Sequence, residues 1–205
     1  ISGGIFNNNS GIYDGTGAIS ITGNCTAYIN NNLTNTITIK IANSVISGTG
    51  TIFNLGNIEL SNSVINADLI NRNRIWTYYD NNAINGTYAN DTDAQLNIIG
   101  IYSYYAKLTF AKGFTNSGTI TLTNNYYSDA TLNVTSDTLI NAAIGVINSK
   151  SIYPANMYLN TILDNRGRLL VDEVLTINKS GAYHKNSGTF LLNNDNLNIT
   201  QSGTT

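Results

Sequence analysis

Asn116-Ser117-Gly118-Thr119-Ile120 returns seventy residues later as Asn186-Ser187-Gly188-Thr189-Phe190, and this repeat decides the fold. Asn165-Arg166-Gly167-Arg168-Leu169 is a looser copy between them, and Ala142-Ala143-Ile144-Gly145-Val146 is looser still. Glycines 118, 145, 167 and 188 are therefore separated by 27, 22 and 21 residues. A quasi-regular period in this range points to a repeat architecture before any other. Gly48-Thr49-Gly50-Thr51-Ile52 and Gly17-Ala18-Ile19 read as earlier copies of the same strand opening.

The residues after each glycine alternate. Thr119-Ile120-Thr121-Leu122-Thr123 and Thr36-Ile37-Thr38-Ile39-Lys40-Ile41 switch between polar and apolar at every step. Leu132-Asn133-Val134 and Leu197-Asn198-Ile199 are shorter examples. Period-two alternation gives a strand with one wet face and one buried face. About 22 residues accommodate three short strands and three turns. One coil cannot bury its own apolar face, but stacked coils can.

Composition agrees. The chain holds 35 Asn, 27 Ile and 25 Thr, with one Pro and one Met. Ile, Val, Thr and Tyr suit a pleated surface, and Asn and Gly suit turns. Asn also stacks in side-chain amide ladders, although a biased genome would enrich it too. The expected fold is all-β: a right-handed parallel β-helix of eight or nine coils. At about 4.8 Å per coil it forms a rod of roughly 40 Å. An antiparallel sandwich is the rival, but Asn85-Gly86 is the only Asn-Gly hairpin signal. Residues 1–205 read as one solenoid. Gln201-Ser202-Gly203-Thr204 looks like the opening of a further repeat, so the chain reads as an excerpt of a longer one.

Charged residues make up only 11% and the net charge is −2. No cluster of Lys and Arg marks a nucleic-acid footprint. No run of about 18 apolar residues encodes a membrane-spanning helix, and Ile1 to Gly17 do not read as a signal peptide. Cys25 is the only cysteine, so no disulfide forms within the chain; it reads as a small buried residue.

The Asn-x-Gly-Thr-Ile openings, the Leu-Asn-Val and Leu-Asn-Ile strands, and the scarcity of Cys and Pro resemble bacterial surface β-helices. The group is that of autotransporter passengers and filamentous-haemagglutinin-like adhesins. The resemblance covers residues 114–205 well, 1–75 loosely and 76–113 poorly. It implies a secreted or cell-surface protein without enzymatic groups that mediates attachment.

Residues 76–127 carry 11 of the 19 aromatic side chains and interrupt the Gly-Thr repeat. They read as a widened or protruding part of the solenoid. Trp76, Tyr78, Tyr79, Tyr102, Tyr104, Tyr105, Tyr126 and Tyr127 are the candidate ligand-binding residues, because amphipathic rings stack on sugars and protein surfaces. On strands, Tyr78-Tyr79 and Tyr104-Tyr105 would each send one ring outward. The bland alternative is rings filling an irregular core. Arg72 and Arg74 precede the segment and could contact an anionic sugar.

Catalytic chemistry is hard to assemble. His184 is the only histidine and reads as a solvated turn residue. Asp91-Thr92-Asp93 reads as a turn, and Asp172-Glu173 diverge on a strand. A polysaccharide lyase or glycoside hydrolase would need converging carboxylates. No metal site or cofactor is expected. The outward row Thr119, Thr121, Thr123 would need copies on several coils to bind ice, yet Thr189, Leu191 and Asn193 stand at the equivalent positions. The eight Asn-x-Ser/Thr sequons are about what chance gives. Three function classes remain: an adhesin or structural passenger with glycan or surface-protein partners, a carbohydrate-active enzyme, and a ligand-free spacer or filament subunit that associates end to end.

Overall fold

The computed structural model describes residues 1–102, 104–193 and 195–202, with side chains as far as 200. It is an all-β parallel solenoid of about nine turns with three faces. The first face is a nine-stranded sheet running from Ala18–Thr22 through Thr38–Ala42, Asn57–Ser61, Arg74–Tyr78, Gln95–Gly100, Thr119–Asn124, Val146–Ser149 and Arg168–Val171 to Thr189–Leu192. The other two faces are stacked in the same way. Each coil visits the first, second and third face in turn, as in Thr38–Ala42, Val45–Ser47 and Thr51–Asn54. In the sixth and seventh coils the second and third faces share one long strand each, Ala130–Asn141 and Met157–Asn165. Among the described residues the one antiparallel bridge joins Ile101 and Tyr104. The sandwich is therefore excluded.

Alternation becomes columns. On the first face Ile39, Ile58, Ile75, Leu96, Ile120, Ile147 and Leu169 are paired coil upon coil and point inward. All seven are buried. Full burial of one such side chain is worth about 1.5–3 kcal/mol, so each column is a continuous apolar stack. Rings enter this core as well. Tyr88, Phe110 and Phe114 are buried with centroids 4.3–5.0 Å apart.

The glycine repeat has a steric cause. Gly118, Gly145, Gly167 and Gly188 open successive first-face strands, as the sequence spacing implies. A Cβ on Gly118 would sit 2.3 Å from the Ala94 carbonyl oxygen, and one on Gly188 would sit 2.1 Å from that of Gly167. Backbone rests directly on backbone at this corner. One expected copy is misplaced. Ile52, after Gly48-Thr49-Gly50-Thr51, pairs with Leu33 and Leu69 on the third face. The glycine of that coil aligned with Gly118 is Gly56, because Asn57 lies in register with Thr119 through Arg74 and Gln95. Of the expected repeat opening at Gln201-Ser202-Gly203-Thr204, Gly203 and Thr204 lie outside the described residues.

The residue just before this corner is asparagine in eight successive coils: Asn35, Asn54, Asn71, Asn90, Asn116, Asn141, Asn165 and Asn186. Each side-chain NH2 donates to the Oδ1 of the next, at 2.7–2.8 Å. The same NH2 groups also donate to backbone carbonyls of the first face, for example Asn54 to Arg74 and Asn116 to Val146. All but the last of the eight are buried. A second, shorter ladder lines the first-to-second-face corner. There the backbone N–H of Cys25 donates to Ser44 Oγ, that of Ser44 to Ser63 Oγ, and that of Ser63 to Asn82 Oδ1. Cys25 is buried, as expected, in the position that serine takes two coils running.

Removing a middle rung orphans two buried groups, the Asn90 amide and the Asn141 carbonyl oxygen. Each orphan costs about 1–3 kcal/mol. We expect Asn116→Ala to lower unfolding stability by roughly 3 kcal/mol or more, and Asn186→Ala, at an exposed rung, to cost less than about 1 kcal/mol. Urea midpoints of the two variants measure this, and equal effects would show that the ladder does not act as a buried network.

Candidate functional site

Coil length varies along the rod, and the extra residues collect at one corner. The connection from first to second face is 43–44 in one coil and 62–63 in the next. It then grows to 79–81, 101–105, 125–129 and 150–156, before shortening to 172–174. The longest connections carry tyrosines. Tyr79, Tyr102, Tyr104, Tyr105, Tyr126, Tyr127 and Tyr153 follow one another along the rod on four successive corners.

Their rings touch from coil to coil. Tyr79 meets Tyr104 edge-on with centroids 5.3 Å apart. Tyr102 lies 6.4 Å from Tyr126. Tyr126 and Tyr127 lie 5.5 and 5.1 Å from Tyr153. The ridge is wet, with Tyr102 at 69%, Tyr105 at 62% and Tyr127 at 61% exposure. Asn62, Tyr79, Asp80, Asn81, Tyr104 and Tyr105 line a surface groove of about 400 Å³ at its start.

The backbone under the rings is pinned. Asn82 donates its amide to the carbonyls of Tyr78 and Tyr79, at 2.6 and 3.1 Å. Ile101 and Tyr104 exchange backbone hydrogen bonds across a tight turn. Ser128 Oγ donates to the Tyr102 carbonyl. Buried Asn124 donates to the Tyr153 carbonyl at 2.9 Å and accepts from the N–H groups of Ile152 and Tyr153. Tyr79 and Tyr102 have φ of 67° and 51°, a left-handed conformation that is costly for a bulky residue. The corner residues of the three preceding coils, Asn24, Asn43 and Asn62, share it with less penalty.

The candidate residues separate into groups. The six tyrosines Tyr79, Tyr102, Tyr104, Tyr105, Tyr126 and Tyr127 form the ridge. Trp76 and Tyr78 stand beside it on the outer surface of the first face, both half-buried. Burial raises the Tyr78 phenol, with Glu59 adding to the effect. Arg74 covers the Trp76 ring at 5.0 Å and bonds Gln95. Arg72 is on the ladder corner, paired with Asp91 at 3.0 Å and lying over Phe53. The rings at positions 104 and 105 do not split between core and solvent. Both are exposed, because they sit in a turn and not on a strand. Tyr88, Phe110 and Phe114 belong to the core.

Tyr153 was missed. It lies outside the aromatic-rich segment, yet it occupies the same corner of the coil that starts from Asn141. Aligning coils on the ladder asparagines exposes it.

No three of the His, Cys, Asp and Glu side chains gather among the described residues. Asp172 and Glu173 bond Asn193 and Ser151 respectively. The Thr119, Thr121, Thr123 row is not repeated, since Gln95, Asn97 and Ile99 flank it on one side and Val146 and Asn148 on the other.

His184 is not a solvated turn residue. It is half-buried, its Nδ1 accepts the Leu163 N–H at 3.2 Å, and its buried Nε2 has no partner. Burial lowers its pKa, and protonation would break the bond to Leu163. The unfolded chain, near the ordinary value of about 6.5, binds the proton first. Stability is therefore complete above about pH 6.5 and falls as pH drops through it. We expect the urea midpoint to fall between about pH 7.5 and pH 5.5, and to fall less in His184→Gln. Identical pH profiles would remove His184 from the account.

No family model, curated protein or solved structure matches this chain.

Proposed function

We propose that this chain is a non-catalytic segment of an extracellular surface adhesin, and that it holds a glycan against the tyrosine ridge. The observation that carries this reading is the coincidence of length and chemistry. Residues are added at one corner, they bring exposed rings, and each ring-bearing turn is fixed by hydrogen bonds. Binding residues concentrate on connections held by a rigid scaffold. Rings fixed in advance lose less freedom on binding.

The ridge runs along the rod, so the ligand lies parallel to the axis. Successive corners are about 4.8 Å apart, a spacing that suits rings meeting consecutive units of an extended saccharide. Arg72 is committed to Asp91 on another corner and Arg74 to Trp76 and Gln95. Asp80 lines the groove. These placements favour a neutral sugar chain over an anionic one, and binding over lyase chemistry.

Tyr79 gives a test that separates binding from stability. Tyr79→Asn removes the ring and relieves the left-handed strain, worth about 1–3 kcal/mol, while losing an edge contact of about 0.5–1.5 kcal/mol. On a glycan array the folded protein should retain a neutral oligosaccharide. Tyr102→Ala/Tyr127→Ala and Tyr79→Asn should both lose it, with the melting temperature of Tyr79→Asn unchanged or raised. Absence of any binding by the folded protein would leave a ligand-free structural rod as the better reading.

A further inference from the structure

Tyr126, Tyr127 and Tyr153 form a three-ring cluster whose centroids lie 5.1–5.5 Å apart. Two of the three rings, Tyr126 and Tyr127, come from one coil, and Tyr153 comes from the next. Of these contacts Tyr127 to Tyr153 is the shortest, with an interplanar angle of 44°. Both rings are open to solvent, at 61% and 36%. The Tyr153 backbone is held by the Asn124 side chain, and in the turn that carries Tyr127 the Ser128 N–H donates to the Tyr126 carbonyl. The chain has one cysteine and therefore no disulfide of its own.

We propose that this cluster is an oxidative modification site, at which a peroxidase-type one-electron oxidant joins Tyr127 to Tyr153 as a dityrosine. Each phenol gives up one electron and one proton to become a phenoxyl radical. The two radicals couple through the ring carbons beside the hydroxyls, forming one carbon–carbon bond. The hydrogen on each coupled carbon then moves to its phenolic oxygen, restoring both rings. The two electrons and two protons reduce one hydrogen peroxide to two waters, so two tyrosines and one peroxide give one dityrosine and two waters. Side-chain rotation closes the gap that remains between the rings. Tyr126, in contact with both, passes an oxidising equivalent to either. The product is a covalent staple between the sixth and seventh coils on the corner where their connections are longest.

Selectivity follows from placement. Tyr183 is the most exposed tyrosine, at 72%, but no other ring lies against it among the described residues, so its radical has no neighbour within the molecule.

The test uses the folded chain at low concentration with a plant peroxidase and hydrogen peroxide. Cleavage after Lys112, Lys150 and Arg166 puts Tyr127 and Tyr153 in different tryptic peptides. The expected product is the peptide 113–150 joined to 151–166 with the loss of two hydrogens, together with dityrosine fluorescence and a raised melting temperature. Tyr153→Phe should abolish that species, Tyr127→Phe should strongly reduce it, and Tyr126→Phe should leave it present. An equal mixture of light and nitrogen-15-labelled chains should give only unmixed pairs. A 113–150 to 151–166 link that survives Tyr153→Phe, a product that is mainly mixed-isotope, or cross-links that centre on Tyr183 would overturn the proposal. Glycan retention is read in a separate assay, so either proposal can fail without the other.

Discussion

A buried amide that must both donate and accept sets the terms for the whole rod. Each ladder asparagine meets its neighbour in the next coil, so two coils cannot slip past one another without breaking hydrogen bonds in a place that water does not reach. The ladder also fixes what may stand beside it. With the asparagine side chain turned inward, the following corner brings carbonyl oxygens to within 2.1–2.3 Å of where a Cβ would be at Gly56, Gly118, Gly145, Gly167 and Gly188. Glycine there is a consequence of close approach. At the same register position other coils carry Ile37, Asn73 and Ala94.

One fixed corner leaves the others free. Successive ladder asparagines are 19, 17, 19, 26, 25, 24 and 21 residues apart, yet the amide contacts hardly change in length. Insertions therefore cost the ladder nothing if they leave the coil elsewhere, and much of the added length does so at the first-to-second-face corner. In the early coils that corner is spare: an asparagine in left-handed conformation followed by Cys25, Ser44 or Ser63, whose backbone N–H donates to a side-chain oxygen of the next coil. At Tyr79 a tyrosine takes the place of the asparagine, and from there the connections lengthen and carry further tyrosines. Tyr79 keeps the left-handed backbone that its predecessors adopt at less cost. The turn itself therefore sets the backbone at Tyr79, and the strain there is larger only because a bulky side chain replaces asparagine.

The sequence revealed the fold more readily than the site. Gly118, Gly145, Gly167 and Gly188 are single residues in a fixed place, and the strand after each alternates cleanly, so period and polarity could be read together. In the earlier coils the same corner is filled by Gly17, Ile37, Gly56, Asn73 and Ala94. A search keyed on glycine therefore lost its frame and fastened on Gly50, a glycine of another corner. Asparagine is the better marker, but 35 of them hide eight. The repeat of Ala42-Asn43-Ser44-Val45-Ile46 as Ser61-Asn62-Ser63-Val64-Ile65 was legible and would have restored the frame. The tyrosines were visible as a cluster in sequence, but the ridge is a cluster across coils. It needs Tyr153 and excludes Arg72, and only the register of the coils separates those two.

The ladder also has a direction, and the direction is locked twice. Each NH2 faces the Oδ1 of the following coil and, with its second hydrogen, a first-face carbonyl such as that of Arg74, Gln95 or Arg168. Turning one amide over would set oxygen against oxygen on both contacts and leave the preceding amide facing nitrogen. Seven aligned amide contacts polarise one another in the same sense, so the arrangement is cooperative along the rod axis. That network is buried on the corner from third to first face, while the rings are exposed on the corner from first to second. Changes more than about 7–10 Å apart with no shared partner combine additively. The rod can therefore exchange the residues on its ridge while the order of its coils stays fixed by the asparagines behind it.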